Sequence, residues 1–236
     1  MTSPRRRSIF ASRLVNTAAA GEQPHILDDL RRAILVGDEP PGTSIPIDAV
    51  ARFFGVSPIP VRESLMILTG EGLVEHRPHV GYSVAKLAFE EFRELYDVRQ
   101  ALETSALRAA VQHATLDDDR LVGEIHEAMA AATRANDERA YHAESRRFHM
   151  ALIVPSGMQR LLRMYESAWN ITEPARPMAR IDDVGRTQFY DDHDRMVEAF
   201  VARDADWLIA ESTQHYAHLR EAIAVFADDP DVFLGC

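Results

Sequence analysis

Residues 55–65 read Gly-Val-Ser-Pro-Ile-Pro-Val-Arg-Glu-Ser-Leu, and this stretch decides the fold of the N-terminal third of the chain. Gly55 permits the left-handed backbone of a sharp turn between two helices, and Val56 supplies a core contact. Ser57 is expected to cap the following helix through its hydroxyl, and Pro58 suits the first helical position. The stretch therefore predicts a helix, a tight turn and a second helix that starts at residue 58.

The segments on either side complete a small helical domain. Apolar residues at helical spacing predict helices over 26–34 and 47–54, before the helix expected over 58–70. Residues 73–76 and 82–85 flank a short turn and read as a β-hairpin. Helix, helix, tight turn, helix and hairpin is the order of a winged helix-turn-helix.

The rest of the chain is helical in pattern after residue 88. We expect six helices joined by short links, with Val98 among the apolar positions of the first and Leu121 turned inward on the second. Acidic residues at several of the expected helix starts suit the helix dipole. The predicted fold class is mainly α: an N-terminal winged helix-turn-helix with a small β-hairpin, and a C-terminal antiparallel bundle of six to seven helices.

These patterns divide the 236 residues into four segments. We expect a flexible N-terminal arm over 1–22, a winged helix-turn-helix over 23–86, a helical effector-binding and dimerisation domain over 87–228, and a tail over 229–236. Two alternatives stay open for Arg5, Arg6 and Arg7 in the arm: they reach into a minor groove, or they belong to a solubilising, disordered segment.

The net charge of −11 is unevenly distributed. Residues 1–86 hold ten basic and nine acidic side chains, whereas the remainder holds sixteen basic and twenty-eight acidic ones. A strongly acidic body is repelled by nucleic acid and is expected to face away from it. With one cysteine, Cys236, and no long apolar run, we expect a cytoplasmic protein without disulfides or a membrane span.

The N-terminal third of the chain resembles the DNA-binding domain of GntR-type bacterial transcription regulators. Residues 55–65, followed by 71–74, carry the resemblance, and 33–37 and 81–84 agree with it. It covers about residues 25–86 and implies DNA contacts, which are assigned to Ser57, Pro58, Ile59, Arg62, His79 and Gly81. Independently of the family, a cation one turn into such a helix can reach a base edge or a phosphate.

One departure from the family concerns the start of this helix. Pro58-Ile59 stands where the family often has Arg-Thr, which removes a cation and a hydroxyl from the reading surface. Either the operator differs from the usual one, or Ile59 touches a thymine methyl group.

The helical half resembles the C-terminal FCD-type domain of the FadR subgroup of these regulators, over about residues 88–227. Residues 95–103 carry the resemblance, together with the positions of His149, His193 and His215. These histidines fall on three predicted helices, and a bundle can direct three such imidazoles toward one interior site for Zn²⁺ or Ni²⁺. The resemblance implies that this triad is a metal site.

Ser145 departs from the family's metal site, in which an Asp precedes the first histidine by four residues. Water, the effector, Glu144, His142 or His218 are the alternatives for the missing ligand. If no metal binds, protonated histidines and Arg99 could still hold an anion.

Arg99, Ser145 and Trp169 are the candidate effector-binding residues. Arg99 either forms a surface ion pair with Glu103 or faces the interior and binds an effector carboxylate bidentately. Trp169 either packs in the core or lines the effector site.

The function expected from the sequence is that of a homodimeric, sequence-specific transcription regulator on a palindromic operator. A small metabolite, expected to be a carboxylate, is held in the helical domain through the metal and modulates operator affinity. We do not expect an enzyme. The alternatives are a metal-dependent enzyme of the helical bundle and a dimeric DNA binder that senses nothing.

Overall fold

The computed structural model describes residues 10–18, 25–35, 39–176, 181 and 183–234. Arg5, Arg6, Arg7, Gly37 and Cys236 lie outside the described residues, so the expectations for them are not addressed by the structure. Within the described residues the chain forms two compact units. The first unit contains the residues up to Phe89, the segment Asn170–Ala175 and the residues from Asp228 onward. The second unit contains Glu90–Trp169 and Arg176–Ala227.

The first unit is a winged helix-turn-helix. Its elements are α1 (Phe10–Arg13), α2 (Ile26–Leu35), β1 (Ser44–Ile45), α3 (Ile47–Phe54), α4 (Pro58–Gly70), β2 (Val74–Arg77) and β3 (Gly81–Val84). The bounds predicted for α3 and α4 are confirmed, and the hairpin strands differ from the prediction by one residue at each end. A two-residue strand, β1, was missed because alternation cannot be recognised over so short a segment.

The three strands form an antiparallel sheet in the order β1-β3-β2. Val74 pairs with Val84 and Arg77 with Gly81, so the hairpin turn lies between Arg77 and Gly81. β1 pairs Ser44 with Ser83 on the other edge of β3. The sheet closes the apolar core that α2, α3 and α4 share.

The expectation of a flexible arm over 1–22 is wrong for its described part. Phe10 and Leu14, four residues apart, are buried in the core of the first unit. The backbone N–H of Thr17 (3.1 Å) and its hydroxyl (2.6 Å) donate to the carboxylate of Asp29, which is itself fully buried. Two apolar side chains and one buried carboxylate therefore hold this segment on α2 and its neighbours.

The last described residues also pack on the first unit, whereas the sequence patterns predict only a tail over 229–236. Val232 and Phe233 are buried, and the ring centroid of Phe233 lies 5.3 Å from that of Phe89. The backbone N–H of Leu234 donates to the carbonyl of Leu87 (2.9 Å), and Lys86 donates to the carbonyl of Pro230. Apolar burial and these hydrogen bonds explain the ordered position of 229–234.

The second unit is a helical bundle. Its helices are α5 (Phe89–His113), α6 (Leu116–Arg134), α7 (Glu138–Ile153), α8 (Gln159–Thr172), α9 (Asp183–Val201) and α10 (Ala205–Ala224). The first residue of α5, Phe89, and the residues of α8 after Trp169 belong to the first unit. α6 packs on α7, and α9 packs on α10 and on α6. The mainly α fold class, with a winged helix-turn-helix and a bundle of six long helices within the described residues, is confirmed.

Polar side chains cap the N-termini of three of these helices, in agreement with the acidic residues at the predicted helix starts. Thr115 and Asp118 form a reciprocal capping box at α6. Asp137 accepts from the backbone N–H of Ala140 at α7, and Asp204 accepts from that of Trp207 at α10. Each cap satisfies an N–H that has no partner inside its helix.

The inward face of α5 differs from the prediction. Val98 is 45% exposed, whereas Tyr96, Arg99 and Glu103 are buried. On α6, Leu121 is likewise exposed and Val122 is buried instead. Apolar spacing fails on α5 because two ionisable side chains occupy the buried face, and polar and aromatic contacts compensate their burial.

None of the helices in the described part of the chain combines the length and the apolar content that a membrane span requires.

Phe10→Ala is expected to destabilise the first unit by about 3–5 kcal/mol, because a fully buried aromatic side chain is replaced by a cavity. Both tryptophans lie in the second unit, so the measurement is hydrogen exchange of the α3 amides by mass spectrometry. Val15→Ala, at a side chain that is 60% exposed, is the control and is expected to leave exchange unchanged. Equal, small effects of both substitutions would show that α1 is not part of the cooperative core.

Candidate functional site

The turn between α3 and α4 has the geometry that its sequence predicts. Gly55 has φ of 68°, in the left-handed region that favours glycine. The backbone N–H of Val56 donates to the carbonyl of Ala51 (3.0 Å), which ends α3. α4 then begins at Pro58, and Pro58, Ile59 and Arg62 are exposed at its N-terminal end, directly after Ser57.

Ser57 occupies the N-cap position of α4, but the predicted hydrogen bond from the helix to its hydroxyl does not form. An N-cap side chain accepts from the N–H of the second or third helical residue. The third residue of α4 is Pro60, which has no N–H, so one of the two possible donors is missing. The hydroxyl of Ser57 is therefore not used to cap α4.

The hairpin turn projects a second candidate surface. His79 and Val80 are exposed at its tip, and His79 has φ of 65°. Gly81 follows with φ of 114°, a conformation that strains residues with a side chain. Arg77 is held by Glu75 (2.9 Å) at the base of the turn. His79 and Gly81 thus lie at the end of the wing, where the prediction assigns them a role in DNA binding.

His149, His193 and His215 are brought together in the second unit. We call them the histidine cluster. They come from α7, α9 and α10, all three are buried, and their ligand nitrogens lie within 4.8 Å of one another. The ring centroids of His193 and His215 are 4.5 Å apart, and His149 lies 5.4 and 5.1 Å from these two.

Two buried carboxylates orient two rings of the histidine cluster. Nδ1–H of His149 donates to Oε2 of Glu103 (2.9 Å), since a carboxylate can only accept. Nδ1 of His215 lies 3.4 Å from Oδ2 of Asp192 in the same arrangement. Each contact leaves Nε2 with a lone pair, and a carboxylate behind the ring is the usual support of a metal-binding histidine.

His193 has no hydrogen-bond partner at either ring nitrogen among the described residues. Burial, together with the nearby His215 and His149, lowers the pKa of His193 well below its usual value. The ring is therefore neutral at pH 7 and has an available lone pair. A buried imidazole without a partner is costly, so its position favours a bound partner that the described residues do not supply.

Glu103 accepts four hydrogen bonds in the interior. The hydroxyls of Tyr165 (2.6 Å), Tyr216 (3.1 Å) and Ser212 (2.8 Å) donate to it, as does His149. Although burial opposes ionisation, His149 and these hydroxyls hold the pKa of Glu103 at about 2. The carboxylate is therefore charged, and nothing in the sequence pattern marked it as the centre of the site.

Arg99 is buried, not at the surface, and it is linked to the histidine cluster through Trp169. Its guanidinium carbon lies 3.4 Å from the ring centroid of Trp169 and 4.6 Å from that of Tyr96. Its Nε has no hydrogen-bond partner among the described residues, and the carboxylate of Glu103 is occupied by other donors. The surface ion pair proposed as one alternative is wrong, because cation–π contacts hold Arg99 in the interior.

Trp169 contacts both parts of the site. It belongs to the apolar core, and its ring lies 5.5 Å from that of His149 as well as against Arg99. Core packing and proximity to the candidate site are therefore not exclusive.

Ser145 is buried one turn before His149 on α7. In the described residues the group of clustered ligand atoms contains the three histidines alone. Glu144 accepts from Arg147 (2.7 and 2.9 Å), and His218 is engaged by Asp192 (2.8 Å) and Gln214. The structure therefore does not bring Glu144, His142 or His218 into the group as a fourth ligand.

Asp192 is the second residue of the site that sequence patterns did not reveal. It is fully buried and accepts from Arg195 (2.6 Å) in addition to its contacts with His215 and His218. Its position directly before His193 was the available signal. Its histidine partners lie on α10, however, and the register between two helices is not readable from one sequence.

Two family models match the chain. The model described as "Bacterial regulatory proteins, gntR family" matches residues 23–84. The model described as "FCD domain" matches residues 94–218, which is more than half of the chain.

Individual proteins are similar over most of their length. The probable D-xylose utilization operon transcriptional repressor of Paenarthrobacter nicotinovorans is 29% identical over 222 residues, covering 91% of this chain and 92% of that protein. An uncharacterized HTH-type regulator of Agrobacterium vitis is 32% identical over 141 residues, covering 58% of this chain and 82% of that protein. The solved structure of Escherichia coli McbR/YncC has a TM-score of 0.75 at 21% identity, covers 85% of this chain and 95% of its own, and shows the fold.

Glu103→Gln is expected to lower the free energy of unfolding of the second unit by about 2–3 kcal/mol, because an amide group would face hydroxyl and N–H donors that now point at a carboxylate. The measurement is urea unfolding at pH 7, followed by the fluorescence of the tryptophans. Glu124→Gln, at an exposed position on α6, is the matched control and is expected to stay within about 0.5 kcal/mol of the unsubstituted protein. A stability of Glu103→Gln equal to that of the control would contradict the role given to the carboxylate.

Proposed function

Because the chain belongs to the GntR family of bacterial regulatory proteins and carries an FCD domain, we propose that a small carboxylate bound beside the histidine cluster controls its affinity for an operator. Both resemblances drawn from the sequence are confirmed, and the chain is a DNA-binding transcriptional regulator. Relatives that are similar over most of this chain are named as transcriptional repressors, which confirms the interpretation as a regulator and not an enzyme. Such a protein acts on the chromosome, and we assign it to the cytoplasm.

DNA is read by α4 and by the hairpin turn in this proposal. Pro58, Ile59 and Arg62 are exposed at the start of α4, as the element that enters a major groove must be. The hydroxyl of Ser57, which does not cap α4, suits a phosphate oxygen. His79 and Gly81 would contact the duplex from the wing. Two copies of the chain would bind a palindrome whose half-sites lie about 34 Å apart or a multiple of that distance.

The observation that carries the sensing proposal is the buried ring of His193, whose two nitrogens have no partner in the described part of the chain while those of His149 and His215 lie nearby. Three imidazoles, two of them supported by carboxylates, fit a divalent transition metal such as Zn²⁺ or Ni²⁺. When bound, the ion would supply positive charge and open coordination positions for an anionic ligand. His149, His193 and His215 would hold it.

The remaining contacts to the effector come from the chain itself. Arg99 carries a fixed positive charge next to the histidine cluster, and Trp169 holds its guanidinium plane. A planar guanidinium matches a carboxylate with two parallel hydrogen bonds. Ser145, buried one turn from His149, offers a hydroxyl to the effector or to a water molecule. An effector that prefers one arrangement of the dimer would change operator affinity by its differential affinity for the two arrangements.

Arg62→Ala is expected to weaken specific operator binding about 10- to 100-fold, because a cation that reads a base edge is lost. The measurement is fluorescence anisotropy with a duplex selected from a random library, with circular dichroism as the test of folding. Arg120→Ala removes the same charge from the exposed surface of α6 and is expected to bind normally. Unchanged specific affinity of Arg62→Ala would refute the assignment of α4 as the reading helix.

His193→Ala is expected to remove the metal, because one of three ligands is lost. The measurement is elemental analysis of protein purified without a histidine tag or a chelator, and about one ion per chain is expected before substitution. His113→Ala, at an exposed position at the end of α5, is the control and keeps the metal. An absence of metal from all three proteins would leave Arg99 as the only charged anchor that we assign to a carboxylate.

A further inference from the structure

Three large apolar side chains of α4 are exposed, Ile59, Met66 and Ile67, and the first two are the most exposed. Ile59 is 65% exposed and Met66 is 66% exposed, although both lie on a helix whose other face is part of the core of the first unit. Arg62 and Glu63 are exposed between them. Hydrophobic residues scattered singly on a surface need no explanation, but these two lie on the helix that presents its side chains to DNA.

The two apolar residues share one face of α4. An α-helix turns by about 100° per residue, so Arg62, Glu63 and Met66 all lie within about 60° of Ile59 around the axis. The buried residues of α4 lie about 140–240° away from Ile59, on the opposite side, and they are Val61, Ser64, Leu65 and Leu68. The outward face of α4 therefore consists of Ile59 and Met66, with one cation and one carboxylate beside them.

The first turn of α4 has little capacity for hydrogen bonding through its side chains. Pro58, Ile59 and Pro60 carry no polar side-chain atom, and these residues form the end of the helix that normally faces base edges. Among the bases, only thymine presents an apolar group, its 5-methyl, in the major groove. An apolar first turn is thus complementary to thymine and not to a hydrogen-bonding edge.

We propose that Ile59 and Met66 determine operator specificity by contacting two thymine methyl groups. Seven residues of helix rise about 10.5 Å, which equals about three base-pair steps of the DNA axis at most, so the two thymines would lie no more than about three steps apart. Arg62 and Glu63 would read positions between them, since Arg pairs with guanine and Glu accepts from the amino group of cytosine. The inference rests on the proposed role of α4 and adds Met66 to the residues that read sequence.

DNA, and not another protein, is the occupant that the surroundings favour. Ile59 and Met66 continue the surface of Ser57 and Arg62, and the residues matched by the gntR-family model include all four. The hydroxyl of Ser57, which does not cap α4, suits a phosphate oxygen, and the guanidinium of Arg62 suits a base edge. Both groups flank this surface. A purely protein-binding face would have no use for that arrangement.

The test removes methyl groups from the DNA. Full-length protein selects an operator from a library of random duplexes of about 30 base pairs, long enough for two half-sites one helical turn apart. Each thymine of the selected site is then replaced singly by deoxyuracil, which lacks only the methyl group. Each contacted methyl is expected to be worth about fourfold in affinity, the value of one buried methylene-sized group. Two such positions per half-site, no more than about three steps apart, are expected for the unsubstituted protein.

Variants assign each methyl to a side chain. At one of the two sensitive positions, Ile59→Ala is expected to bind the thymine duplex and the deoxyuracil duplex with equal affinity. Met66→Ala is expected to lose the difference in affinity at the other position. Ile67→Ala is the matched control: this side chain is 48% exposed on the same helix but is turned by about 80° from Ile59. It is expected to retain sensitivity at both positions.

The outcomes separate this inference from the function on which it rests. Failure to enrich any sequence would contradict specific DNA binding itself. A selected operator in which no deoxyuracil substitution changes affinity would overturn the methyl contacts and leave DNA binding intact. The same conclusion follows if Ile59→Ala and Met66→Ala keep the full methyl sensitivity, because the apolar side chains would then face another partner. The deoxyuracil series needs no substituted protein, so it does not depend on how the variants fold.

Discussion

The buried carboxylate of Glu103 is the interaction on which the second unit depends. It lies on α5 and accepts from His149 on α7, Tyr165 on α8, and Ser212 and Tyr216 on α10. An isolated buried charge is very costly, and four donors from three other helices offset that cost. Because three donors converge on Oε2 and Ser212 reaches Oε1, the carboxylate favours a single relative arrangement of four helices.

The same hydrogen bonds prepare the histidine cluster. Because Nδ1–H of His149 donates to Glu103, the tautomer and the orientation of that ring are set before any ligand binds. Asp192 does the same for His215 at a longer distance of 3.4 Å, and Arg195 holds Asp192 in turn. The ring of His193 has no such support from the described residues. Structure and candidate function are therefore coupled through two acidic side chains, neither of which belongs to the histidine cluster itself.

The sequence predicted what local rules control and missed what tertiary contacts control. Gly55 and Pro58 set the end of α3 and the start of α4, so both bounds were predictable. The prediction that the Ser57 hydroxyl caps α4 is wrong. Pro60 has no backbone N–H, so one of the two donors that could reach this hydroxyl is missing. Phe10 looked like part of a loose arm, since a four-residue helix has no detectable period and gains its order only from burial.

The candidate site shows the same division. Family resemblance supplied the positions of His149, His193 and His215, and the structure brings them together. Periodicity, in contrast, placed Val98 and not Arg99 on the apolar face of α5, because it counts apolar residues and treats charges as exposed. A buried charge is recognisable only when its partners are known, and here those partners come from helices up to 113 residues away in sequence.

Charge balance links the metal to the effector in our proposal. Arg99 is held in the interior by cation–π contacts, and the ionised Glu103 lies on the same helix. The carboxylate of Asp192 is paired with Arg195, and the charges of Arg99 and Glu103 offset each other, so no positive charge is in surplus for an incoming carboxylate, whose burial alone would be costly. A divalent ion held by the three imidazoles would provide that surplus. Arg99 would then orient the carboxylate, and the ion would compensate its charge, so that neither is sufficient without the other.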